Sequence, residues 1–331
     1  MAGMFSVTSR KVRHRLFWIM LLTILVAVSA CGADDEEAEV DGTAAEGAET
    51  TAPEGEDGAG AEGTEQTTAA PTTAAPTTTT TVPPRRMGVV LLAPDESNNK
   101  LNMRAGPGTQ NPVVGELQPA QAELASTDAI EVVDGRVWHE LITGDATGWV
   151  YGYYLTETWS PSEVEQEWDW MSALEDFANS LVLGEGLQDT VSWRGLFVIY
   201  FDDNLRRWSP DDLPVLHEDD SDLRWSNTGA SASEGDATVG SWKEVIADPF
   251  LADYLDEDIN IEVGGLTLGP NAVLPSSAIS SAFANFPWVA IHDPGDNAEL
   301  GGLDWSTWLV FLEMEEDGPK VVGLQPQVSY P

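Results

Sequence analysis

Turn signals recur so closely between Leu101 and Leu155 that the stretch reads as short strands folded back on one another. Gly106-Pro107-Gly108 reverses the chain, because glycine supplies positive φ and proline fixes its own φ. Asn102 to Arg104 is a strand end before that turn, and Val113-Val114 with Leu117 is a short apolar strand after it. Asp134-Gly135 is a second turn, set between two β-rich runs, Ile130 to Val133 and Val137 to Leu141. Gly144-Asp145-Ala146-Thr147-Gly148 sets off a last strand, Trp149 to Tyr151. Short strands at this spacing predict a small β-barrel.

The same residues resemble a bacterial SH3 domain. That family opens on L-N-[VM]-R-x-G-P-G/S-T, here Leu101-Asn102-Met103-Arg104-Ala105-Gly106-Pro107-Gly108-Thr109. Its V-[VI]-G-x-L strand is matched by Val113-Val114-Gly115-Glu116-Leu117, and its W-x-x-[VL] strand by Trp138-His139-Glu140-Leu141. The closing G-W-V-x-x-x-Y-L is Gly148-Trp149-Val150-Tyr151-Gly152-Tyr153-Tyr154-Leu155. The resemblance lies within residues 87–158 of 331. The family usually has glycine where Ala120 stands and a shorter segment before the tryptophan strand. The resemblance implies a small all-β barrel that binds cell-wall peptides or protein segments. The candidate ligand surface is aromatic: Trp138, Tyr151, Tyr153 and Tyr154. Strand alternation puts Trp149 and Tyr151 on one face, assigned to the core, and predicts that at least one of the tyrosines is exposed.

Residues 1–30 read as a secretion signal. Arg10, Lys11, Arg13 and Arg15 precede an apolar run from Leu16 to Val28 that is too short to span a bilayer comfortably. Val28-Ser29-Ala30-Cys31 resembles a bacterial lipobox, which implies that Cys31 is lipidated and becomes the first mature residue. The alternative is an ordinary cleavage site with an incidental cysteine. Cys31 is the only cysteine in the chain, so disulfides and cysteine nucleophiles are excluded from the folded part. Papain-like peptidases and L,D-transpeptidases are excluded with them. Residues 31–86 form an acidic Ala/Thr/Pro-rich stretch with almost no large apolar side chains. Such a segment cannot bury enough surface to offset its chain entropy, and is expected to be a disordered tether. As a flexible coil it spans roughly 40 Å.

The chain carries 15 Lys+Arg against 56 Asp+Glu. Residues 87–158 hold three basic and ten acidic residues, and residues 159–331 hold six and 33. Every segment after the expected signal is acidic, which excludes nucleic-acid binding by a basic surface and electrostatic binding to anionic lipid or teichoic acid.

Residues 159–331 contain 10 of the 13 tryptophans, enough aromatic surface for a core. Ser160-Pro161-Ser162-Glu163 is a capping box with proline at the first helical position. Val164, Trp168, Met171, Leu174, Phe177, Leu181 and Val182 follow at helical spacing, so one helix from Pro161 to Leu183 is predicted, ended by Gly184. Trp193 to Phe201 reads as a buried strand, Ser209 starts a short helix, and His217 to Gly240 reads as a long surface loop. Ser241-Trp242-Lys243-Glu244 starts another helix that Pro249 interrupts, and Pro275 to Phe286 suggests a further one. Trp288 to His292 is a strand, and Trp305 to Glu313 pairs with Lys320 to Leu324 across Glu316-Asp317-Gly318. The fold class expected is a small all-β SH3-like barrel followed by an α+β domain, behind a disordered N-terminal linker.

Chemistry has few candidates. His292 and Asp293, with Asp296, could form a base or metal site, but Asp-Pro-Gly-Asp is also ordinary turn chemistry. His217-Glu218-Asp219-Asp220-Ser221-Asp222 lacks calcium-loop spacing, and Asp253, Asp256, Glu257 and Asp258 read as solvated. No G-x-S-x-G or H-E-x-x-H occurs, and no metal or cofactor is implied. The sequence reads as a cell-envelope lipoprotein, tethered to the membrane through Cys31, that binds cell-wall peptide or an envelope protein. The alternatives are a hydrolase with its site in residues 159–331 and a structural spacer.

Overall fold

The computed structural model describes residues 86–92, 99–144, 146–200, 205–225, 238–269, 279–295, 297, 299–300 and 303–328. The expected signal sequence, Cys31, nearly all of the linker and Asp296 lie outside them. The described chain is mostly β, with a curled sheet and a few helices.

Seven strands make the first sheet: β1 (Arg86–Val89), β2 (Leu101–Arg104), β3 (Val113–Leu117), β4 (Leu124–Val133), β5 (Arg136–Thr143), β6 (Ala146–Tyr151) and β7 (Leu155–Glu157). They pair antiparallel throughout, in the order β3-β2-β6-β5-β4-β1-β7. The β4–β5 hairpin closes at Asp134-Gly135 as predicted, with φ of 52° and 72°. Two left-handed residues in succession are what a two-residue hairpin turn requires. Strand β4 starts well before Ile130, and a bulge between Ser126 and Ile130 absorbs the extra length. Met87, Val89, Leu101, Met103, Leu117, Leu141 and Val150 form the core of this sheet. The inward face of β6 is therefore that of Gly148 and Val150. Trp149 and Tyr151 share the opposite, half-buried face, so their assignment to the core is corrected. The alternation was read properly and its phase was not, because aromatic bulk outweighed the small Gly148 that lets β2 approach closely.

The capping box at Ser160 forms, with Glu163 N–H donating to Ser160 Oγ and Ser160 N–H to Glu163 Oε2. It opens α1 (Pro161–Glu167), but the single helix expected to Leu183 is divided. Trp168 is extended, at φ −101° and ψ 141°, and Asp169 caps a second helix, α2 (Trp170–Leu183). Asp169 offers its carboxylate to the Ser172 N–H, which competes with continuation of α1. Two short helices in succession can carry the apolar period of one long helix, so periodicity alone could not detect the break. Trp168 is buried as expected, whereas Val182 at the end of α2 is 44 % exposed. Gly184 ends α2 in the left-handed region.

Next come α3 (Leu187–Thr190), β8 (Leu196–Ile199), β9 (Leu205–Trp208) and α4 (Leu213–Leu216). The strand expected from Trp193 is shorter than predicted, and Trp193 itself is 52 % exposed. Within the expected surface loop, β10 (Leu223–Arg224) pairs with β11 (Val239–Gly240), and Trp225 is buried with its indole N–H on Gly240 O at 2.9 Å. Ser241 caps the next helix, but Pro249 does not interrupt it. A π-helical turn, Lys243–Ala247, leads directly into α5 (Asp248–Tyr254), and Pro249, which has no N–H to donate, follows at the junction of the two.

The second sheet uses β12 (Asn260–Val263), β13 (Trp288–Asp293), β14 (Ser306–Glu315) and β15 (Gly318–Val328) with β8 and β9. Its order is β12-β13-β14-β15-β8-β9, antiparallel except where β15 meets β8. Of the helix expected from Pro275 to Phe286, residues 275–278 lie outside the described residues and 279–286 form turns instead. Their polar groups are committed elsewhere: Leu91 N–H donates to Ala282 O, the Asn285 amide to Val89 O, and Ser280 N–H to Gln325 Oε1. This segment links the two sheets, and residues 83–331 form one compact unit.

Both faces of the second sheet are buried. Val289, Ile291, Trp308, Val310 and Leu312 face the helices, with Phe177, Trp242 and Phe250. Ala290, Leu309 and Phe311 face the other way, onto Phe283, Phe286, Val90 and Leu91. Among the described residues no helix is long and apolar enough to cross a membrane.

Candidate ligand-binding groove

Strands β2, β5 and β6 bring their outer-face side chains to a groove of about 240 Å³. Trp138, Tyr151 and Tyr154 line it together with Lys100, Arg104 and Arg136. These are the only three cations of residues 87–158, so an acidic region places all its positive charge in one groove. Three of the four aromatic residues nominated from sequence are here. Trp138 is nearly fully buried, and its indole N–H finds no acceptor among the described residues. The Tyr151 ring lies 5.9 Å from that of Trp138, and the exposed Arg136 guanidinium sits 5.6 Å above Tyr151.

The three cations differ in what they are free to do. Arg104 donates through one guanidinium nitrogen to Thr109 O and Asn111 O, which pins the loop after β2. Lys100 pairs with Glu116 at 2.8 Å on the surface. The Arg136 side chain makes no hydrogen bond or ion pair among the described residues, and its guanidinium sits over the Tyr151 ring.

Tyr153, the fourth nominated aromatic, has a different task. Its ring stacks on Tyr151, meets Trp193 edge-on, and lies under the guanidinium groups of Arg194 and Arg207. Burial raises its hydroxyl above the usual tyrosine range, against the pull of Arg207 and Arg194. Tyr151, Tyr153 and Tyr154 are all partly buried, so the expectation that at least one of them is exposed is corrected.

Arg194 was not anticipated from sequence. It is 3 % exposed and holds Glu313 through Nε and Nη2, with Nη2 at 2.6 Å from Oε1. The rest of its fork reaches the first sheet: Nη2 donates to Leu155 O at 2.7 Å, and Nη1 to Tyr153 O and Gly152 O. Ser192 Oγ adds a bond to Glu313 Oε2 at 2.8 Å. A single guanidinium thus ties β14 to the backbone immediately after β6, behind the groove.

The His292–Asp293 pair does not form one site. In β13 they alternate, with His292 opposite Thr307 and Asp293 opposite Ser306. His292 Nδ1 lies 2.8 Å from Thr307 Oγ1, whose own proton goes to Thr267 O, so the imidazole must donate there. Asp293 accepts from Gly295 N–H in a tight turn. On the helix side Asp253, read from sequence as solvated, accepts from Ser306 Oγ and Trp308 Nε1. Burial raises the Asp253 carboxyl above its ordinary value, opposed by those two donors and reinforced by Asp293. Asp219 accepts the Ser221 N–H in a surface turn. Among the described residues no group of three His, Cys, Asp or Glu is placed to hold a metal ion.

Burial also lowers the His292 pKa, against a hydrogen bond to the Ser306 backbone and the charges of Asp293 and Glu262. The folded state therefore favours neutral imidazole. The stability this contributes is complete above the unfolded value of about 6.5 and is lost as pH falls below it. Urea midpoints at pH 7.5 and 5.5 are expected to fall further for the wild type than for His292→Asn.

A second cleft, of about 190 Å³, lies beside Trp159, Pro161, Asn285 and Trp288. Its one titratable side chain, Glu123, is paired with Arg86. Comparison with models of protein families, with curated proteins and with solved structures gives no match.

Proposed function

We propose that this protein is a cell-envelope lipoprotein, tethered outside the membrane by a lipid on Cys31, whose folded part is a ligand-binding module. In this reading residues 87–158 are an SH3-like unit and residues 159–331 an α+β layer that supports it. The motif order from Leu101 to Leu155 supports the first assignment. So does Ala120: its φ is 57°, a conformation that favours the glycine the resembled family carries there. The ligand proposed is a cell-wall peptide or a segment of an envelope protein.

The observation that carries the binding reading is the groove. An aromatic floor and the three cations of an acidic region meet where the sequence nominates its ligand residues. Concave sites with a few convergent polar groups are where ligands bind. The hydrolase reading has less support, because His292 and Asp293 point to opposite faces of the sheet.

Two experiments test the proposal. Radiolabelled palmitate is expected to enter the wild-type protein and not Cys31→Ser; no incorporation into the wild type rejects the tether. The mature protein is expected to be retained on purified peptidoglycan, and Tyr151→Ala to reduce retention by about tenfold with an unchanged circular-dichroism spectrum. Equal retention of the two proteins rejects the groove.

A further inference from the structure

We infer that the groove recognises a single carboxylate on an otherwise uncharged peptide, held by Arg136 while the adjoining residues lie on Tyr151, above the buried Trp138. The inference rests on the groove being the binding site, and it names what that site selects. Its first ground is the division of labour among the cations. Arg104 is engaged with Thr109 O and Asn111 O, and Lys100 with Glu116, which leaves Arg136 with its donors uncommitted among the described residues. One guanidinium fork matches one carboxylate in a bidentate pair. Its second ground is the position of that guanidinium: its carbon lies 5.6 Å from the Tyr151 ring centroid, so a group bound to it adjoins the aromatic surface.

The third ground is the net charge of the region that carries the groove. The same region carries ten acidic residues against these three cations. A polyanion in the groove meets a region whose net charge is negative, so its further charges are repelled over a Debye length of about 8–10 Å. A lone carboxylate gains the contact with Arg136 and brings no second charge to be repelled. A peptide's C-terminal carboxylate meets this description, and so does one acidic side chain in a neutral segment. A teichoic-acid or nucleic-acid chain does not.

The test uses the full mature chain and three probes in calorimetric titrations. These are an N-acetylated peptide ending in Ala-Ala with a free carboxylate, the same peptide as its C-terminal amide, and inorganic phosphate. The acid is expected to bind about tenfold more tightly than the amide, and Arg136→Gln to abolish that preference. Arg136 is exposed, so the variant should fold as the wild type does. Phosphate is expected not to displace the acid. Equal binding of acid and amide, binding of neither, a preference that survives in Arg136→Gln, or displacement by phosphate each overturns the inference. If retention on peptidoglycan still depends on Tyr151 in any of these cases, the groove stands and only the carboxylate assignment falls. If that dependence is absent too, both fall.

Discussion

Arg194→Met is expected to destabilise the protein by about 3–5 kcal/mol, read as a lower urea midpoint. Methionine keeps much of the aliphatic bulk and removes every donor. Glu313, at 7 % exposure, is left as a buried charge whose remaining partner is Ser192. The carbonyls of Gly152, Tyr153 and Leu155 lose a donor at the same time. The cost comes from breaking the pair, not from any large net value of the pair itself, since desolvation offsets much of its attraction. Arg194→Met combined with Glu313→Leu is therefore expected to recover most of the loss. Failure of the double variant to recover would mean that the carbonyl contacts, rather than the ion pair, dominate the joint.

Phe311→Ala should cost about 3–5 kcal/mol by a different mechanism. The Phe311 ring is fully buried and stacks on Phe283 with centroids 4.2 Å apart. It lies where the second sheet meets residues 279–286 together with Val90 and Leu91. That surround is fixed on several sides by backbone hydrogen bonds, including Leu91 to Ala282, so it cannot collapse into the space left behind. Val182→Ala, at a position 44 % exposed, is the matched control and should change stability by less than about 0.5 kcal/mol. Equal effects at the two positions would show that the face between the sheets is not a packed core.

The contrast between Val182 and Phe311 also shows what the sequence could convey. Local chemistry was legible: the Asp134-Gly135 turn, the Ser160 capping box and the Gly184 stop each depend on residues within a few positions of one another. The closing hairpin was legible for the same reason. Arg194 was not, because its burial is decided by Glu313, 119 residues further on, and by carbonyls some forty residues before it. In isolation it reads as one more surface charge after Trp193. The helix break at Trp168 was hidden by a period that two helices in succession can share. Residues 279–286 carry helical composition but give their polar groups to β1, Gln121 and Gln325.

The candidate site was half legible. The family resemblance and aromatic composition nominated Trp138, Tyr151, Tyr153 and Tyr154, and the fold gathers three of them in the groove. It could not reveal that Tyr153 is turned toward Arg194 and Arg207, because both residues come from beyond residue 158. Nor could it show that Lys100, Arg104 and Arg136 converge, since that follows from how β2 and β5 flank β6. His292 and Asp293, adjacent in sequence, looked like a pair for the opposite reason: neighbours in a strand are sent to different faces.

The most direct measurement of the central claim is a heteronuclear NMR titration of the mature protein with soluble fragments released from peptidoglycan by a muramidase. The account predicts shift changes centred on the Trp138 indole N–H, the Tyr151 amide and the Arg136 side chain, and weaker changes elsewhere. Shifts centred on Trp159 and Trp288, or no shifts at saturating fragment, would contradict it.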